Sequence, residues 1–147
     1  PVTIVAADHP SLDGAVEAFV DTLGAEPCSS SARRHRTSAL SSLVRPGARL
    51  RLAAIEGDRI VGLVRVGHEG DLVVVVASDR RDLGIGSALA EHAAERARRI
   101  GMSRLRLHRG RTSRRAVEIA HRHGAALVRR RRHLEVVLAS PPLGRAS

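Results

Sequence analysis

Asp71-Leu72-Val73-Val74-Val75-Val76-Ala77-Ser78-Asp79-Arg80-Arg81-Asp82-Leu83-Gly84-Ile85-Gly86-Ser87 is the stretch on which the reading of this chain turns. The unbroken apolar run Leu72–Ala77 predicts a central strand buried on both faces. From Gly84 the period changes. Ile85, Ala88, Leu89, Ala93, Ala97 and Ile100 recur at helical spacing, so a helix runs to about Ile100. Arg96, Arg98 and Arg99 suit its negative C-terminal end, and Gly101 suits its stop. The first turn of such a helix carries N–H groups with no intrahelical partner, at the positive end of the dipole. Glycine lets an anion approach that backbone closely. Strand, Arg-x-x-Gly-x-Gly and helix together make a cradle for a pyrophosphate, to which Ser87 adds a hydroxyl. Two familiar phosphate motifs do not fit. Position 89 is Leu where a dinucleotide fingerprint needs its third Gly, and the chain has no Lys for a P-loop.

Upstream, Leu50–Ile55 and Ile60–Val66 flank Glu56-Gly57-Asp58-Arg59, a strong hairpin signal. Gly67–Gly70 is a second turn leading into the apolar run. Further back, Pro1–Ala6 predicts a strand. Ser11 is expected to cap a helix with Leu12, Ala15, Val16, Phe19, Val20 and Leu23 inside and Gly24 at its end. Glu26–Ser31 predicts a loop, Ala32–Val44 a second helix, and Arg45-Pro46-Gly47 a turn. Downstream, Arg104–His108 alternates as a strand. Thr112 or Ser113 is expected to cap a helix stopped at Gly124, and Ala126–Leu138 predicts a strand or hairpin. The order is strand, helix, helix, three strands, helix, strand, helix, strand or strands. It predicts an α/β (α+β) domain over 1–139, a mixed, mostly antiparallel sheet with helices on both faces, and a flexible tail over 140–147.

Composition narrows the chemistry. Phe19 is the only aromatic among 147 residues, so tyrosine is excluded as a proton donor and base-stacking platforms are absent. All 25 basic residues are arginine and the net charge is +10. That excess fits a polyanionic partner or an anionic cofactor, and it fits equally a coding bias with no function attached. Cys28 is alone, so neither a disulfide framework nor a cysteine metal site is expected. With no apolar run of membrane-spanning length, a cytoplasmic protein with no membrane association is expected.

Arg81-Asp82-Leu83-Gly84-Ile85-Gly86 resembles the Q/R-x-x-G-x-G/A signature of GCN5-related N-acetyltransferases, and the order of elements from Val2 to Leu138 is similar to that family. The resemblance implies acetyl-CoA, or another acyl-CoA, as co-substrate and a primary amine as acceptor. Main-chain groups near Val74 and Val76 would pair with the pantetheine arm. The amides of Arg81, Asp82, Leu83, Gly84, Ile85, Gly86 and Ser87 would hold the pyrophosphate. Ser113 would touch the pantetheine. A splay between Asp71–Ala77 and Arg104–His108, usually produced by a bulge in the former, would admit the thioester. The sequence departs from the family at Asp82, a carboxylate where Gly or a basic residue is commoner, and at Leu83, often polar or basic. The tyrosine that many members carry four residues before a Gly in the last helix is replaced by Ala120.

Asp71 stands thirteen residues before Gly84. In that spacing, and in Gly124-Ala125, the chain is similar to actinobacterial protein-lysine acetyltransferases, which place a Glu there. A carboxylate at Asp71 would take the proton of the attacking ammonium; alternatively Asp71 is a turn residue after Gly70, and Glu69 is its nearest substitute. His121 and His123, two apart on a helix and with no acidic partner nearby, do not predict a metal site. Arg129–Arg132 reads as a solvated edge or as a grip for an acidic protein or nucleic acid. Arg33-Arg34-x-Arg36 and Arg114-Arg115 read as helix exteriors or as a hold on the cofactor's 3′-phosphate. The expectation is therefore an N-acyltransferase without metal, a monomer or homodimer, acting on a small amine or a protein lysine. The alternatives are a catalytically silent CoA-thioester-binding module and a basic nucleic-acid-binding domain, the latter disfavoured by the lack of stacking aromatics.

Overall fold

The computed structural model describes residues 1–25, 40–81, 83–108 and 113–139. Asp82, the expected loop and most of the expected helix within 26–39 (with Cys28, His35 and Arg33–Arg36), Thr112 and the tail 140–147 lie outside the described residues. Strands β1 (Val2–Ala6), β2 (Leu50–Glu56), β3 (Arg59–Val66) and β4 (Leu72–Val76) form one antiparallel sheet in sequence order. Strands β5 (Arg104–His108), β6 (Gly124–Arg129) and β7 (His133–Leu138) form a second, ordered β5-β7-β6 and also antiparallel. The expected mixed sheet is thus two antiparallel sheets that meet at one parallel bridge, Asp71 with Arg106.

Helix α1 (Asp13–Gly24) and the helical residues 40–44 cover one face of the first sheet, and α2 (Ile85–Arg99) covers the other. Helix α3 (Ser113–His123) packs beside α2 on the second sheet. The apolar run of β4 serves both faces, as its continuity requires. Val73 and Val75 pack with Phe19, Leu23 and Leu43, whereas Val74 and Val76 pack with Ile85, Leu89 and Leu107. Alternation in β5 buries Leu105 and Leu107 against Ile119 and Leu134. Gly62 on β3 lets α2 approach; a Cβ there would lie 2.8 Å from Leu89 Cδ1.

Ser11 does not cap α1. Pro10 opens a 3-10 turn, Pro10–Leu12, whose cap is His9; its Nδ1 accepts from the Ser11 N–H at 3.1 Å, and α1 begins at Asp13. Pro favours the first helical position because it has no N–H to lose, and that moves the start upstream. Helix α3 passes directly into β6 at Gly124, and the last segment is a hairpin, not one strand.

Candidate active site

The site is built where the two sheets part. The Gly67–Gly70 turn closes through Gly70 N–H to Gly67 O at 3.0 Å, and Arg106 N–H donates to Gly70 O at 2.8 Å. Gly70 has φ +90°, and a Cβ on it would overlap the Arg104 carbonyl oxygen. Only glycine lets the backbones of 70 and 104 come this close. Beyond the Asp71–Arg106 bridge, β4 pairs only with β3 and β5 only with β7, so β4 and β5 diverge toward Val76 and His108. The expected splay is present. The bulge expected to produce it is not, because β4 keeps register with β3 from Leu72 to Val76 without a shift.

The register also decides which main-chain groups face the opening. Ala77 N–H donates to Val61 O, and Gly67 N–H donates to Asp71 O. Odd-numbered residues of β4 therefore turn their N–H and C=O toward β3. Leu72, Val74 and Val76 turn theirs toward the gap, on the same edge as Gly70 O.

At the wide end the chain makes the 3-10 turn Ser78–Arg80 and enters α2. Gly84 is its N-cap, at φ +79° in the left-handed region, where no side chain is available to cap. The first helical bond is Ala88 N–H to Gly84 O at 3.0 Å. The N–H groups of Ile85, Gly86 and Ser87 have no hydrogen-bond partner among the described residues, and the first turn holds no acidic residue. Two described carboxylates of the preceding strands and turn are engaged by arginines. Asp79 takes both Arg59 nitrogens at 3.0 Å, which lowers its pKa. Glu56 accepts from Arg80 at 2.6 Å, which lowers the carboxyl's pKa and raises the guanidinium's. Arg81 and Leu83 are exposed beside the cradle. The Arg115 guanidinium of α3 lies over Gly86, close enough that a Cβ on residue 86 would overlap it. Burial pushes the Arg115 pKa down.

Asp71 sits at the apex. Its carboxylate packs over Gly67, where a Cβ would lie 2.7 Å from Oδ1. Arg106 reaches it at 3.8 Å while bonding Glu69 at 2.7 Å. Arg106 was not foreseen. Its alternation with Leu105 and Leu107 placed it off the core face, but nothing local named its partners. Arg65, buried beneath this end, donates to the carbonyls of Arg45 and Pro46; burial lowers its pKa and the nearby Asp71 charge offsets part of that. A recess of about 260 Å³ lies between α1 and the turn after 44, lined by Asp8, Asp13, Glu17, Arg45 and Arg51 among others; none of the cradle residues lines it.

Ser113 is the first residue of α3, and Ala120 packs against the core at the place of the absent tyrosine. His123 does have acidic partners, contrary to expectation. Its Nε2 is 2.7 Å from Glu91 and its Nδ1 is 3.3 Å from Glu95, tying α3 to α2. Those carboxylates come from a helix thirty residues earlier, out of reach of local reading. No metal-binding cluster occurs among the described residues. Arg130–Arg132 form the tip of the last hairpin, and Arg130 pairs with Glu135. No helix among the described residues is long and apolar enough to cross a membrane.

A slot between two strands, with one strand's main chain free along it and an uncapped helix N-terminus at its wide end, takes an extended ligand that ends in an anion. The profile of the Acetyltransferase (GNAT) family matches residues 16–125, well over half of the chain. The chain belongs to that family, whose members are acyl-CoA-dependent N-acetyltransferases. Its fold is shared with a GNAT-family acetyltransferase from Streptococcus pneumoniae (TM-score 0.63, 20% identity, covering 95% of this chain and 100% of that one). It is also shared with a GNAT-family acetyltransferase from Brucella melitensis in complex with acetyl-CoA (TM-score 0.65, 16% identity, 97% and 92%). A third is the GNAT domain of S. lividans PAT (TM-score 0.61, 17% identity, 93% and 90%). No curated protein matches the sequence.

Proposed function

We propose that the chain transfers an acetyl group from acetyl-CoA to a primary amine, a protein lysine side chain foremost, and that the slot between β4 and β5 holds the thioester. The observation that carries this reading is the continuity of one edge. Val74 and Val76 offer N–H and C=O groups to the gap, and the same edge ends at the uncapped amides of α2. A ligand with an amide-bearing arm and a diphosphate fits both ends at once. Val74 and Val76 then pair with the arm. The backbone of Arg81–Ser87, with the glycines 84 and 86, holds the diphosphate, and Ser113, the first residue of α3, contacts the pantetheine. The cofactor supplies the activated acyl group. The chain's own contribution is alignment, which alone removes several kcal/mol of barrier, on the order of 7–11 kcal/mol for well-placed groups.

The acceptor must lose a proton before it attacks, because an alkylamine of pKa ~10.4 is almost wholly protonated at neutral pH. Asp71 is the carboxylate at the apex and is half exposed, so it can take that proton directly or through water. Arg106 holds the carboxylate in place. In the recess beside α1, Asp13 is paired with Arg51 at 2.9 Å, so Asp8 and Glu17 are the carboxylates there that would meet a cationic acceptor.

A second reading rests on Ala120 and on the pairing of Asp71 with Arg106. Without a tyrosine, and with its carboxylate tied, the domain would bind CoA thioesters without turning them over. Calorimetric titration with acetyl-CoA tests the site common to both. Micromolar or tighter affinity is expected, with a loss of more than ~100-fold in Gly86→Glu, whose carboxylate would fill the cradle and pair with Arg115. Unchanged affinity in that variant removes the cradle. Thiol release across a panel of amines then separates enzyme from binding module: turnover with a lysine peptide supports the first, and silence with every amine supports the second.

A further inference from the structure

We propose that Arg115 is an anion clamp that closes over the cofactor's diphosphate from α3, opposite the amides of α2. The inference rests on the cofactor reading above. Arg115 lies in the third position of α3, and its guanidinium rests on Gly86, the second residue of α2. This is an unfavourable place for a cation. The N-terminal end of a helix is positive, and the side chain is partly withdrawn from water, which lowers its pKa. Among the described residues, only the charge of Glu118 offsets part of this cost. Among the described residues Arg115 has no ion pair or hydrogen bond, and Glu118, the carboxylate nearest in sequence, pairs with Arg114 at 3.6 Å. Elsewhere the chain pairs arginines closely: Arg51 with Asp13, Arg59 with Asp79, Arg80 with Glu56, Arg98 with Glu95 and Arg106 with Glu69.

A half-buried guanidinium and three free amides facing one point form a site of one sign. A diphosphate placed there receives N–H donors from α2 below and a planar fork from α3 above. The glycine at 86 is required from both sides, since any side chain would displace the ligand and the guanidinium together. The position also selects between the phosphates of CoA. Gly86 belongs to the turn that takes the diphosphate, so Arg115 belongs to that group and not to the 3′-phosphate.

The test is calorimetric titration of the chain, Arg115→Ala and Arg115→Lys with CoA and with 3′-dephospho-CoA, which keeps the diphosphate. The expected result is a ~10- to 100-fold weaker Kd for Arg115→Ala with both ligands, the size of a lost charge-assisted contact, and a smaller loss for Arg115→Lys. Melting without ligand is the control. Removing a charge that is only partly offset should leave Tm unchanged or raised, whereas a merely structural arginine would lower it. Affinity within twofold of the unaltered chain overturns the clamp. A loss confined to CoA moves Arg115 to the 3′-phosphate and also overturns it. If the unaltered chain binds neither ligand, the cofactor reading fails and the clamp with it; if it binds both and only Arg115→Ala is indifferent, the clamp alone fails.

Discussion

Gly70→Ala is the perturbation that best probes how the two sheets are joined. Gly70 and Gly57 both have left-handed backbones, at φ +90° and φ +65°. An Ala at either pays the same kind of conformational penalty, about 1–2 kcal/mol. Their surroundings differ. A Cβ at 57 meets nothing within 4 Å, whereas a Cβ at 70 overlaps the Arg104 carbonyl oxygen and lies 3.5 Å from Leu105 Cα. Backbone cannot swing aside as a side chain can, so β4 and β5 must part at the apex. The bond from Arg106 N–H to Gly70 O is then strained or lost, a further ~0.5–1.5 kcal/mol. The expected destabilisation is about 2–3 kcal/mol for Gly70→Ala against about 1–2 kcal/mol for Gly57→Ala. In a chain of this length that corresponds to a Tm fall of roughly 5–12 °C at position 70. Urea unfolding of both variants measures the difference. Turnover supplies a second readout, because the apex sets the distance between Asp71 and the slot. Equal losses at the two glycines would refute the argument that close backbone approach at 70 joins the sheets.

Asp71→Asn preserves the shape of the apex and removes the base; acetyl-transfer to a lysine peptide should fall ~10²- to 10⁴-fold at neutral pH with the acetyl-CoA Kd little changed, and a drop below tenfold would leave Asp71 as the Arg106 partner only. Glu95 is held at about pKa 2 instead of the usual 4.5, chiefly by hydrogen bonds from Arg98 and also from Arg99. Its folded pKa is depressed, so its stabilisation is present above pH ~4.5 and is lost as pH falls through ~2. Glu95→Gln should therefore cost about 1 kcal/mol at pH 7, the scale of a partly exposed pair, and the two unfolding curves should converge near pH 2; a constant gap across that window would exclude the linkage.

Much of the fold was legible because its signals are local. The hairpin of β2 and β3 is written in Gly57-Asp58 between apolar runs, and its register pairs Glu56 with Arg59 as a two-residue turn demands. The two-faced burial of β4 follows from its unbroken valines, and α2 from its stripe and terminal arginines. The cradle was legible for the same reason: turn, glycines and helix start are contiguous. What escaped is what depends on distant segments. Ser11 was displaced as a cap by its neighbour Pro10, a competition between two valid helix-start signals. Arg106 at the apex, His123 between two carboxylates and Arg115 over Gly86 each depend on which face of one element meets another. Alternation told that such residues leave the core, not where they arrive.

The divergence of β4 and β5 without a bulge has a physical explanation in these contacts. Two strands joined along their length keep each other parallel; these two are joined at one point by Gly70 and Asp71, and each is paired along its other edge. With the far edges committed to two sheets of independent twist, the near edges separate from the single junction outward. The consequence is an unpaired strand edge inside the molecule, lined by half-buried valines. Chains usually block such edges with charge or proline, because they recruit other strands. Here Val74 and Val76 carry neither, and among the described residues the edge is flanked by α2 and the second sheet. A free edge kept apolar, enclosed and ended by uncapped amides is disfavoured for the protein alone, since its main-chain groups must rely on water. It becomes favourable when an extended, amide-bearing ligand completes it as a strand would, which makes ligand-dependent stabilisation of β4 a direct consequence of the fold.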